Sequence, residues 1–120
     1  MDGSQLVRTN MMRFTTHDCV DESVKIFSNV SGSHRLPKGT ADDFSWPKDA
    51  ITVIKNLSEQ DCVVTVECLR ADSGCIVLRS SRGPAKTWDT GQKGTHVLHA
   101  GEAWTLQSAD AISPVGRLPV

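Results

Sequence analysis

The chain has no tyrosine, and aromatic residues make up only 5% of it. A core must therefore be filled mainly by Val, Ile, Leu, Ala and Cys. Charge of one sign is also missing: 13 basic residues stand against 14 acidic ones, for a net −1. That balance lacks the basic footprint of a nucleic-acid binder, so no nucleic-acid partner is expected. No apolar run approaches the ~18 residues of a membrane span, and no membrane partner is expected either. The N-terminus, MDGSQLVRTNMMRF, lacks the basic-then-apolar pattern of a signal peptide. No GxSxG, HExxH, P-loop or GxGxxG is present. Ser, His and Asp all occur, but nothing places them together. The chain reads as a non-enzyme with no catalytic residues and no cofactor.

What is present is strand pattern. At 120 residues the chain is one domain, large enough for a core of its own. Its clearest stretch runs from Ile51 to Ser80. Three β-rich runs, ITVIKNL, DCVVTVECLR and CIVLRS, are separated by the short polar breaks SEQ and ADSG. Side chains on a strand alternate between faces. One face of the middle run then carries Cys62, Val64, Val66 and Cys68, wholly apolar. The other carries Val63, Thr65, Glu67 and Leu69. Val, Ile and Thr favour strands because their χ1 is restricted. Breaks of this length, one ending in Gly74, predict hairpins, and so an antiparallel meander.

Around this stretch the chain divides into three parts. Residues 1–22 are polar and hold Met11-Met12, and they read as an N-terminal arm with a short strand around Arg13 to Thr16. Residues 23–110 form the β-domain. Val24 to Val30 is a strand, and Thr95–His99 and Ala103–Ser108 close the domain around the tight turn Ala100-Gly101-Glu102. Two long segments, His34–Ala50 and Ser81–Gly94, carry Pro and Gly and read as loops. Residues 111–120 form an extended C-terminal tail with two prolines. Many short strands with Gly- and Pro-bearing turns predict an all-β fold: an antiparallel β-sandwich or small β-barrel of about six to eight strands.

The candidate chemistry is sparse. His96 and His99 are three apart on a predicted strand and face opposite sides, so they do not chelate one metal. His17 and Cys19 share a face, but zinc wants four such ligands at tight spacing, and no CxxC occurs. Adjacent Asp42 and Asp43 fit calcium poorly, since calcium loops use alternate positions. No metal is expected. Cys62 and Cys68 are about 20 Å apart along one strand, beyond disulfide reach. Either could pair with Cys75 or Cys19, but the expectation is buried free thiols in a reducing compartment. Trp46 and Trp88 lie in the two long loops. Exposed Trp is enriched at binding hot spots and sugar-stacking platforms. The competing reading is that each Trp folds back to plug an end of the sandwich.

The run ITVIKNLSEQDCVVTVECL, followed later by HVLHAGEAWTLQS, resembles small β-sandwich virion accessory proteins of tailed phages, of the capsid decoration or cement type. The matching residues are Ile51, Val53, Asn56, Ala100, Gly101, Glu102, Trp104 and Leu106. The resemblance implies a structural protein that binds and stabilises a capsid, with the major capsid protein as partner and a homo-oligomer, a trimer, as its state. The setting would be a virion or the host cytoplasm. On this reading the arm and loops make the contact, through Met11, Met12, Phe14, Phe44, Trp46 and Trp88. The alternative is a carbohydrate- or ligand-binding β-sandwich that uses the loop tryptophans.

Overall fold

A computed structural model of the chain describes residues 9–28, 32–47, 50–71 and 75–109. The first half holds β1 (Thr9–Asp18), β2 (Val24–Ser28), β3 (Gly32–Leu36), β4 (Ala41–Pro47) and β5 (Thr52–Asn56). The second holds β6 (Cys62–Arg70), β7 (Cys75–Ser80), β8 (Lys86–Asp89), β9 (Lys93–Leu98) and β10 (Ala103–Ser108). They form two antiparallel sheets, ordered β4-β1-β6-β9 and β3-β2-β5-β10-β7-β8. The expected all-β sandwich is there, with ten strands instead of six to eight.

Four strands of each sheet, β4-β1-β6-β9 and β5-β10-β7-β8, follow the order of a jelly roll, a double Greek key in two layers. One feature is displaced. The place of the roll's last strand is taken by β1, the first strand of the chain. The ends meet accordingly: the Asn10 side-chain amide at the start of β1 donates to Ser108 Oγ at the end of β10, 2.7 Å away and buried. The β2–β3 pair then widens the second sheet beyond β5.

Three expectations change here. Residues 9–18 are not an arm: β1 lies inside the four-stranded sheet, between β4 and β6. The reason is visible in its alternation, since Asn10, Met12, Phe14 and Thr16 are all buried while Arg13 and His17 are exposed. The meander is also absent. β5 and β7 belong to one sheet and β6 to the other, so both polar breaks are arches between layers. β9 and β10 are likewise in different sheets. A five-residue break such as Leu57–Asp61 is long enough to close a hairpin or to step across the ~10 Å between sheets, and the pattern of polar residues is the same for both. The two long loops, finally, contain strands β3, β4 and β8. The tail, residues 111–120, the first eight residues and the tip of the ADSG turn lie outside the described residues.

The core sits between the layers. The Cys62/Val64/Val66/Cys68 face of β6 is buried throughout, as its apolar pattern implied. It shares the core with Leu98 of β9 and with Ile54, Ile76, Leu78 and Leu106 of the facing sheet. Burying one such side chain is worth about 1.5–3 kcal/mol. Phe14 packs edge-on against Trp104, ring centroids 5.9 Å apart. Cys19, just past β1, is disulfide-bonded to Cys62 at the start of β6, with Cα atoms 4.5 Å apart. The expected reduced state of all four cysteines is thereby corrected. Cys19 with Cys62 is one of the pairings that the sequence left open; antiparallel pairing of β1 with β6 sets the two cysteines side by side, 43 residues apart. Cys68 and Cys75 are free.

Candidate functional site

Of the six residues expected to meet a partner, four face inward. Met12 and Phe14 are fully buried, Trp46 is 1% exposed and Trp88 3%. Phe44 is half-buried against the core and stacks on Trp46, centroids 5.7 Å apart. Met11 is half-buried, in register with Ser45 and Arg70. A chain this short of aromatics uses its tryptophans to fill the sandwich. Three other places in the fold present surface or space to a partner.

The first is the outer face of the four-stranded sheet. Asp43, Arg13, Glu67 and Lys93 are paired in register across β4, β1, β6 and β9. The signs alternate along this row. Arg13 Nε donates to Asp43 Oδ1 at 2.7 Å and Nη2 to Oδ2 at 3.0 Å, while Nη1 lies 3.7 Å from Glu67 Oε1. The Arg13 fork holds the Asp43 carboxyl below the usual carboxylate range. Beside the ladder runs a threonine row. Thr65 Oγ1 bonds Thr95 Oγ1 at 3.0 Å and His17 Nε2 at 2.6 Å.

The second is the outer face of the six-stranded sheet. Arg35 on β3 is paired with Lys25 on β2, and Lys25 with Lys55 on β5. Three cations thus stand side by side. In the next row, Phe27 and Val53 are paired, Val53 with Thr105, and Thr105 with Arg79. None of these four cations has an ion pair among the described residues. Lys25 Nζ lies 5.7 Å from the Phe27 ring centre, and Phe27 is itself 37% exposed.

The third is the gap between the layers. At the β3/β4 side the sandwich is closed: His34 Nε2 and Asp42 Oδ2 are 3.0 Å apart across the two sheets, and only about 30 Å³ of space remains there. At the opposite side, between β8 and β9, a cavity of about 290 Å³ opens. Its inner wall holds Trp88, His96 and Trp104 in a row. His96 meets both indoles edge to face, at 5.3 Å and 6.2 Å. The ring fits there because position 94 is glycine; a Cβ at Gly94 would stand 3.0 Å from His96 Nε2. Burial, aided by nearby Lys86, pushes the His96 pKa down and so favours the neutral ring.

Glu102 anchors the cavity. It is 5% exposed, and three donors reach its carboxylate. Ser80 Oγ donates a short bond to Oε2, Trp104 Nε1 donates to the same oxygen at 2.9 Å, and the His99 amide donates to Oε1 at 2.8 Å. Burial works to raise its pKa, but these bonds outweigh burial and hold the carboxyl below its ordinary range. The turn that carries Glu102 is locked in place by Asn56. The Asn56 amide donates to the Glu102 carbonyl at 3.0 Å and its own carbonyl accepts from Gly101 at 3.0 Å. Gly101 adopts φ +73°, a conformation that other side chains rarely adopt. Asn56 Nδ2 also donates to the carbonyls of Gln60 and Leu98, tying the β5–β6 connection to the β9–β10 connection. His99 and His96 both line the cavity, because the chain bends after Leu98. Among the described residues, no group of three or more His, Cys, Asp and Glu side chains is placed to hold a metal.

No family model matches the chain, and the comparisons with curated proteins and with solved structures return no match. Function must be argued from these surfaces.

Proposed function

We propose that the chain is a non-enzymatic interaction protein that docks on a larger assembly through the outer face of its six-stranded sheet. One observation carries this: Arg35, Lys25 and Lys55 are aligned across three adjacent strands, with Arg79 nearby and no acid among the described residues paired to any of them. Like charges placed directly opposite each other cost stability. An acidic partner surface would turn that cost into complementarity, which gives both speed and register to docking. The exposed Phe27 and half-buried Val53 supply apolar contact beside the cations, the mixture that interfaces favour.

The sequence resemblance makes a tailed-phage capsid the proposed assembly, with a decoration or cement role and the major capsid protein as the acidic partner. The docking surface differs from the one expected at first: the sheet face replaces the arm and loops. Co-sedimentation with purified tailed-phage capsids from the same genome tests it. Saturable binding that weakens as salt rises and disappears when Lys25→Glu and Lys55→Glu are combined supports the proposal. No binding at low salt, or binding indifferent to both changes, overturns it. Retention of the same face on a nucleic-acid duplex would reassign the partner.

A second reading, a ligand-binding β-sandwich module, is favoured by the cavity between β8 and β9, which Trp88 lines. The two readings use different surfaces and are compatible.

A further inference from the structure

In the cavity between β8 and β9 one carboxylate is nearly filled with donors, while one indole N–H has no partner among the described residues. Glu102, its buried carboxylate, already takes three hydrogen bonds of the about four it can accept. Trp88 Nε1, on a side chain 3% exposed, has no hydrogen-bond partner among the described residues, and an indole N–H can only donate. Buried polar groups are seldom left unpaired without a reason. His96 Nε2, deep in the same wall, is also unpartnered. At the rim, Lys86 and Arg82 are exposed and have no ion pair within the described residues. The exposed rim cations call for a ligand that brings negative charge and acceptor oxygens.

The charge can be specified further. The two rim cations, Lys86 and Arg82, stand against one buried carboxylate, Glu102, and Asp61 lies near enough to Arg82 to offset part of its charge. A monoanion matches that; a dianion such as phosphate would be repelled by Glu102. The rest of the lining is apolar: Trp88, Trp104, Leu78 and Pro84 offer flat or aliphatic surface to a ring. A volume of about 290 Å³ lies at the low end for ligand sites, which limits the occupant to about one ring.

We propose that this cavity binds a small ring-bearing carboxylate, with its ring against Trp88 and Trp104 and its carboxylate on Lys86 and Arg82. The inference rests on the ligand-binding reading above and names the ligand class for it. Two sources share this chemistry, a uronic-acid sugar and an aromatic acid.

The test is titration of the full chain with glucuronate and with benzoate, each beside its neutral counterpart, glucose and benzyl alcohol. Tryptophan fluorescence and the Trp88 indole N–H signal in NMR spectra report binding. At least one acid should shift that signal and bind at least about tenfold more tightly than its neutral counterpart. Which acid does so identifies the source. Lys86→Gln should weaken the acid about tenfold or more and leave the melting temperature unchanged, since its side chain is exposed. Arg82→Gln should act in the same direction. Binding of a neutral compound as tightly as its acid, or acid binding untouched by both substitutions, overturns the inference while leaving a ligand site. Silence with all four compounds overturns both the inference and the ligand-binding reading.

Discussion

The two outer faces of this sandwich use the same kinds of residue in opposite ways. On the four-stranded sheet, Asp43, Arg13, Glu67 and Lys93 alternate in sign, and each charge finds its opposite on the next strand. On the six-stranded sheet, Arg35, Lys25 and Lys55 repeat one sign across three strands. The first row is closed: it satisfies itself and has little to offer a partner. The second is open, and folding leaves its repulsion in place. Net charge hides the contrast entirely, because a near-neutral chain can still carry a strongly basic face. The overall balance excludes a chain that is basic all round, and it says nothing about a local row.

The largest effects should come from beneath the closed face. Phe14 points inward from β1 and packs on Trp104, whereas its neighbour Arg13 points outward into the ladder. Phe14→Ala should cost about 3–5 kcal/mol in denaturant unfolding, as deletions of buried aromatics do. If residues 9–18 were a docking arm instead, stability would hold and only association would fail. Reduction of Cys19–Cys62 should be nearly as costly. Freeing a loop of 43 residues is worth roughly 4 kcal/mol in the chain-entropy account, read as a lower melting temperature in dithiothreitol. Thiol titration of the oxidised protein should find Cys75 reactive and Cys68 silent until unfolding. Cys68 is buried, and burial pushes its thiol up to about 11, so its reactive thiolate is scarce at neutral pH.

Why did the sequence show one part of this and not another? Alternation within a strand is local, so the buried stripe of β6 could be read directly. β1 carries the same alternation, but Asn10 and Thr16 stand among its inward residues and disguise it as polar. In β4 the inward set Asp42, Phe44 and Trp46 is bracketed by Pro37 and Pro47, which mark a loop in most settings. Sheet membership is not local at all. Whether Leu57–Asp61 turns back or crosses over depends on which layer has an open edge, and that is decided by strands far along the chain. The basic row is invisible for the same reason. Arg35, Lys25 and Lys55 become neighbours only once β3, β2 and β5 are paired. The cavity likewise joins Trp88, His96 and Glu102 from three different elements. Its one local clue is Ala100-Gly101-Glu102, where a tight turn places an acid just ahead of the buried strand β10.

A middle-sized effect should sharpen the contrast between faces. Lys25→Glu turns the open row into an alternating one, with an acid between Arg35 and Lys55. Two repulsions become two attractions, each worth a few tenths to about 1 kcal/mol, against loss of the cation–π contact with Phe27. The net expectation is a stabilisation of about 0.5–1 kcal/mol, seen as a higher urea midpoint at an unchanged slope. The same protein should bind the proposed acidic partner less well. A substitution that stabilises the fold while weakening association would mark the row as kept for a partner. Unchanged stability would mean that the three side chains already splay into water, and the contrast between faces would lose its force.

The smallest effect concerns the closed ladder itself, and pH isolates it. Arg13 holds Asp43 ionised below the usual carboxylate range. A carboxyl whose pKa is lowered by folding adds stability above its unfolded pKa and loses it as pH falls through the folded value. Arg13→Gln should therefore lower the melting temperature near pH 7 by only about 1–3 °C, since the pair is exposed and screened by water. That difference should shrink as the pH falls below 4 and should also fade in high salt. The open row behaves otherwise, because it holds no carboxylate for acid to neutralise. Below its lowered range Asp43 is neutral, and the ladder loses its bidentate ion pair. The difference between the two faces is thus a property of neutral pH, and a Lys25→Glu variant should lose its advantage over the parent chain in the same acid window. An advantage that survived full protonation of the carboxylates would show that charge is not what separates the two faces.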